Sequence, residues 1–150
     1  MLKLSKLTDY GTVLMTTLAQ RQDASYSASE LSDITHIALP TTSKLLKILA
    51  NSKLIESRRG AHGGYHLARP AAEISMAEVI AALEGPIALT ECSSEDSQCG
   101  ITAHCGVRGN WQLINQAIKR ALEDVSLADM AHPMVQDSLE VALRRMELTT

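Results

Sequence analysis

A chain of 150 residues and 16.2 kDa has the size of one ordinary domain, which argues against a multidomain enzyme. With 45% hydrophobic and 21% charged residues it is globular, but with no Phe, one Trp and three Tyr its core is aliphatic and it lacks the aromatic platforms that hold single-stranded nucleic acid. The net charge of -3 is unevenly spread: residues 1–70 hold nine Lys or Arg against five Asp or Glu, and the remainder holds five against twelve, a basic head on an acidic body.

Lys3, Lys6 and Asp9 interrupt any apolar leader, and no run of 18 apolar residues occurs, so the expected location is cytoplasmic with no membrane partner. Cys92, Cys99 and Cys105 are odd in number and confined to one short segment, which fits a reduced compartment better than a disulfide framework.

Leu7, Tyr10, Leu14 and Leu18 recur at helical spacing and predict a first amphipathic helix from about Leu4 to Gln20, with Asp9 off the apolar stripe. Ser27-Ala28-Ser29-Glu30 is a capping box that opens a short second helix, expected to run to about Asp33. A third helix follows with Pro40 in its first turn and Leu45, Ile48 and Leu49 as its apolar face. The runs Leu54–Ser57 and Tyr65–Leu67 flank Arg58-Arg59-Gly60-Ala61-His62-Gly63-Gly64 and read as a β-hairpin with a glycine-rich tip. A second capping box, Ser75-Met76-Ala77-Glu78, begins a helix with Met76, Val79, Ile80 and Leu83 on one face, stopped by Gly85-Pro86. Past the cysteine loop, Trp111, Ile114, Ile118, Ala121 and Val125 alternate spacings of three and four, the seam of a helix of about five turns. Such a helix has more apolar face than one small protomer covers, so self-association through this seam is expected.

Three helices followed by a hairpin describe a winged helix-turn-helix. Thr41, Thr42, Ser43, Lys44 and Lys47 lie on the third helix, where hydroxyls and amines meet base edges and phosphates once the helix enters a major groove. Arg58, Arg59 and His62 lie at the hairpin tip, and a wing brings such side chains to the minor groove. Double-stranded DNA is therefore the expected partner.

The three cysteines are separated by six and five residues in a polar loop with no CxxC pair. Thiolates are soft donors suited to iron-sulfur clusters, zinc or reversible oxidation, and the spacing alone leaves cluster and zinc even. No Ser-His-Asp, paired-carboxylate or phosphate-loop pattern emerges, so the expected class is not an enzyme.

Three segments carry a family likeness: the opening Leu4-Ser5-Lys6-Leu7-Thr8-Asp9-Tyr10-Gly11, the wing Arg58-Arg59-Gly60-Ala61-His62-Gly63-Gly64-Tyr65, and the cysteine loop leading to Trp111. Together they resemble the iron-sulfur winged-helix regulators typified by IscR and NsrR, over about residues 1–131, and most of all the branch associated with the SUF iron-sulfur assembly operon. The resemblance implies a homodimer that binds a palindromic promoter site, carries a 2Fe-2S or 4Fe-4S cluster on Cys92, Cys99 and Cys105, and represses cluster assembly when loaded. It also implies a fourth ligand. The histidine that completes the IscR-type site is replaced here by Arg108, whereas Asp9 matches the aspartate that the partner subunit supplies in the NsrR type; His104 is a lesser candidate.

The expected architecture is thus mainly α, with a small hairpin wing and a long C-terminal dimerisation helix. Its regions are a DNA-binding head over 1–70, a linking helix over 71–91, a cluster-binding loop over 92–105, a dimerisation helix over 106–131 and a tail over 132–150. The alternatives are a thiol-redox or zinc-dependent winged-helix regulator without a cluster, and an iron-sulfur carrier or assembly partner.

Overall fold

A computed structural model of the chain describes residues 3–93, 99–100 and 104–132, apart from the side chain of Cys92. Its elements are α1 (Lys6–Gln20), α2 (Ala28–Thr35), α3 (Leu39–Asn51), β1 (Ile55–Arg58), β2 (Gly64–Leu67), α4 (Met76–Glu84), α5 (Arg108–Glu123) and α6 (Leu127–Ala131), with 3-10 turns at Ala71–Glu73 and Glu91–Ser93. This is the mainly helical winged helix-turn-helix read from the sequence.

Local chemistry explains the starts. Ser5 caps α1 by accepting from the Thr8 amide, and both expected capping boxes form, Ser27 with Glu30 and Ser75 with Glu78. Thr35, two residues past the expected end, closes α2, and the chain leaves it through His36 in a left-handed conformation with φ 57°. The turn into α3 is fixed at one atom: the Ile37 carbonyl accepts from Ser32 Oγ at 2.7 Å and Thr42 Oγ1 at 3.2 Å.

The core is one aliphatic cluster. Leu14, Met15 and Leu18 of α1 meet Leu31 of α2, Leu45, Leu46 and Leu49 of α3, Ile55 of β1, and Ile74 and Val79. On α3 the third buried leucine is Leu46, with Ile48 only half-buried, because the core reaches further around the helix than the expected stripe. Gly11 lets α1 approach α4 closely, since a Cβ there would strike the Leu83 side chain.

The wing is antiparallel, with Ile55 opposite Leu67 and Arg58 opposite Gly64. Tyr26 extends it by a bridge to Tyr65: the Tyr26 amide donates to the Tyr65 carbonyl at 3.0 Å, and the Tyr65 amide donates back at 2.7 Å. The wing is thereby seated on the segment between α1 and α2. Gly64 makes this seat possible, because its φ is +141° and a Cβ would lie 2.6 Å from the Tyr26 backbone.

The expected single helix over 106–131 is instead two. α5 stops at Glu123, and α6 begins after Ser126, whose side chain forms a third capping box with Asp129. Two backbone bonds hold the break, Met76 N to the Val125 carbonyl at 2.8 Å and Leu127 N to the Ile74 carbonyl at 2.7 Å. Leu127 is fully buried in the head's core. Val125 therefore lies past the end of α5 rather than on its seam. The tail expected over 132–150 lies outside the described residues from position 133 onward. Among the described residues, no helix is long and apolar enough to cross a membrane.

Gly64→Ala is expected to cost about 1–3 kcal/mol in backbone strain, beyond any displacement of Tyr26, and to lower the melting temperature by several degrees. Thermal denaturation followed by circular dichroism checks this. An unchanged midpoint would show that the wing does not depend on its seat against Tyr26.

Candidate nucleic-acid interface and cysteine segment

α3 divides its residues sharply between core and solvent. Ser43, Lys44 and Lys47 are exposed and Thr41 is half-buried. Thr42 is a correction: it is fully buried and donates its hydroxyl to the Ile37 carbonyl, so it fixes the helix-turn-helix turn and has no free face for DNA. The N-terminus of α3, like that of α5, has no side-chain cap: Ala38 precedes it and Pro40 lies in its first turn, whereas α1, α2, α4 and α6 begin with a serine cap.

Arg58 ends β1, and Arg59 opens the tip, closed by a bond from Gly63 N to the Gly60 carbonyl at 3.0 Å. Gly60 has φ +117°, and Arg58, Arg59 and His62 are all exposed. None of Lys44, Lys47, Arg58 and Arg59 joins an ion pair among the described residues. Four cations thus stand unneutralised on the helix and the wing, as a polyanion requires. Deeper in the wing, His66 Nε2 lies 3.8 Å from Glu56, and its Nδ1 is buried without a hydrogen-bond partner.

Cys92 lies in the 3-10 turn Glu91–Ser93, which is held by Ser93 N donating to the Thr90 carbonyl at 2.9 Å and by a 2.8 Å contact between the Thr90 and Ser93 hydroxyls. Cys99 and Cys105 are half-buried. Among the described residues, which leave out the side chain of Cys92, there is no group of three or more His, Cys, Asp or Glu side chains able to hold a metal ion. The chemistry of the donor set nonetheless fits a cluster, with three soft thiol donors in a polar segment between two fixed anchors.

The first anchor is Asn115, which sequence reasoning missed. It is the only buried residue of α5. Its Oδ1 accepts from Leu89 N at 3.0 Å and its Nδ2 donates to the Ile87 carbonyl at 3.1 Å, clamping the chain just before Cys92 to the helix just after Cys105. An amide at the fourth position after Trp111, within an otherwise apolar spacing, was the available signal. The second anchor is Glu84 at the end of α4. It accepts from Ser5 N at 2.7 Å and from the buried Thr8 hydroxyl, and these bonds hold its carboxyl below the usual carboxylate range.

Asp9 is exposed in the first turns of α1, one residue after Thr8. It lines a groove of about 880 Å³ with Lys3, Lys6, Met76, Ile80 and Leu122. Arg108 opens α5 half-buried, with its Nε buried and without a hydrogen-bond partner. On α5, Trp111 is 40% and Ile114 45% exposed, Ala121 is exposed and Ile118 is half-buried, so the outer part of the expected seam is open in one protomer. Leu113, at 67% exposed, widens it.

A family model described as Rrf2, iron-dependent transcriptional regulator, matches residues 4–133. The chain is 32% identical over 130 residues to protein rrf2 of Nitratidesulfovibrio vulgaris, covering 86% of this chain and 87% of that protein. Among solved structures it is similar to CymR, the global cysteine regulator of B. subtilis, with a TM-score of 0.69 and 31% identity over 87% of this chain and 97% of the other. It is also similar to T. potens IscR, with a TM-score of 0.66 and 28% identity over 86% and 85% of the two chains. The chain belongs to the Rrf2 family of DNA-binding transcriptional regulators.

Proposed function

We propose that this regulator acts as a homodimer on a palindromic promoter site, that Cys92, Cys99 and Cys105 hold an iron-sulfur cluster, and that the loaded form represses an iron-sulfur assembly operon of the SUF type. The observation that carries the reading is the three-thiol segment anchored on both sides, to α5 by Asn115 and to α1 through Glu84. A bound cluster would supply sensitivity to oxidants, nitric oxide and iron supply, because its irons react with the first two and exchange with the third.

Each residue then has a task. Lys44 and Lys47 neutralise phosphates along the major groove, and Arg58 and Arg59 hold the wing at the minor groove. Trp111, Ile114 and Ile118 pair the two α5 helices. Asp9 reaches the cysteine segment of the partner subunit and completes the donor set with a harder, weaker oxygen, which suits a sensor better than a permanent cofactor. Cytoplasmic operation follows from reduced thiols and a DNA target. The task throughout is binding rather than catalysis.

A second reading has its own support. The likeness to a cysteine regulator favours a thiol-responsive or zinc-dependent switch on the same cysteines, without a cluster. Iron, sulfide and zinc contents of anaerobically purified protein separate the two: the proposal expects a coloured protein with iron and acid-labile sulfide, and colourless protein with stoichiometric zinc would replace it with the second reading.

Three variants test the parts. Lys47→Gln is expected to lower the salt slope of duplex binding by about two for the dimer, one phosphate contact being lost in each subunit, and an unchanged slope by fluorescence anisotropy would remove Lys47 from the interface. Ile114→Asp puts a carboxylate on a surface that is exposed in the protomer but buried in the proposed dimer, so the fold should survive by circular dichroism while the dimer dissociates in sedimentation. A dimer of unchanged mass would move the interface off α5. Replacing any one of the three cysteines by Ser should abolish or severely impair cluster absorption, whereas Asp9→Ala should retain it and bleach faster in air. Wild-type lability in Asp9→Ala would end the cross-subunit role while leaving the three-cysteine site standing.

A further inference from the structure

Exposed apolar residues on the DNA-facing helix are unexplained by the fold. Ala38, Leu39 and Pro40 open α3 side by side and are all exposed, Leu39 by 44%, while the core side of the helix is already filled by Thr42, Leu45, Leu46 and Leu49. A single exposed leucine is ordinary. Three consecutive apolar residues at the N-terminus of a recognition helix are not, because that turn is where helix-turn-helix proteins meet base edges.

The chemistry of the remaining positions narrows what this turn can read. From Ala38 to Lys47 there is no Asn or Gln to pair with adenine, no Asp or Glu to accept from cytosine, and no Arg fork for guanine. Asn51, the nearest amide, is about 18 Å further along the helix axis. What is left is the amines of Lys44 and Lys47, the hydroxyls of Thr41 and Ser43, and the apolar patch. In the major groove only thymine offers an apolar group, its 5-methyl. The surrounding cations, Lys44 and Lys47 on the same helix and Arg58 and Arg59 on the wing, favour a polyanion over a protein surface as the occupant.

We infer that Leu39 and Pro40 read thymine 5-methyl groups in the operator, and that they carry much of the sequence specificity of a helix with few hydrogen-bonding base readers. This rests on the assignment of α3 as the recognition helix. Each half-site then places a thymine methyl against the first turn of α3.

The test begins with in vitro selection of duplexes from a random library by the full-length protein, purified anaerobically. In the selected duplex, the thymine common to both half-sites is then replaced by deoxyuridine, which removes only the methyl. Binding is expected to weaken about fourfold per methyl, the free energy of burying one methylene, and about fifteenfold when both half-sites are changed. In Leu39→Ala, whose side chain is surface-exposed and whose fold is checked by circular dichroism, the thymine and deoxyuridine duplexes should bind much more nearly alike. Equal binding of the two duplexes by the wild type would overturn the inference, as would a full thymine preference surviving in Leu39→Ala. A selection that enriches no duplex at all would instead strike down the recognition-helix assignment, and the inference with it.

Discussion

The chain folds back on itself at one point, and the geometry of the molecule depends on it. Leu127, directly after the cap of α6, is buried in the core of the head, and the paired bonds Met76 N to Val125 O and Leu127 N to Ile74 O stitch the end of α5 to the start of α4. α5 is consequently not a free arm beyond a DNA-binding head but a strut fixed to it. Whatever sets the spacing of two α5 helices in a dimer also sets the spacing of two recognition helices, which must match half-sites one DNA turn apart.

The cysteine segment hangs between fixed points of this frame. Glu84 fastens the end of α4 to the first turn of α1, and Asn115 fastens residues 87 and 89 to α5. Between them the chain carries all three thiols. In the proposed reading, a change of ligation there would pull on α5 and α4 together, and through Glu84 on the same turn of α1 that presents Asp9. Coupling between a sensor and DNA then needs no long conformational path, since the elements in contact with the loop are the ones that hold the head.

Much of this was legible in the sequence because it is written in local chemistry. Ser27 and Ser75 announced their helices through a glutamate three residues on, Pro40 marked the first turn of α3, and the glycines around His62 marked the wing. What escaped was decided by tertiary contacts. The break after Glu123 carries a cap with Asp129 rather than Glu at its third position, and an a/d spacing that runs on through Val125 conceals it. Thr42 looked like a groove-facing hydroxyl until the Ile37 carbonyl claimed it. Asn115 lies off the expected seam and drew no reading, yet it holds residues 87 and 89 to α5. The proposed cluster site spans residues 94–98 and 101–103, which lie outside the described residues, and the proposed cross-subunit ligand would leave no mark on the sequence of one protomer beyond a motif position.

The central claim is that the state of the cysteine segment sets the affinity of α3 and the wing for DNA. The most direct measurement is the affinity of one anaerobic preparation for one selected duplex, before and after its iron is removed by oxidation and chelation, with dimer mass followed in parallel. The account predicts that affinity falls at least tenfold while the protein remains a folded dimer. Equal affinity of the iron-loaded and iron-free forms for that duplex would contradict it.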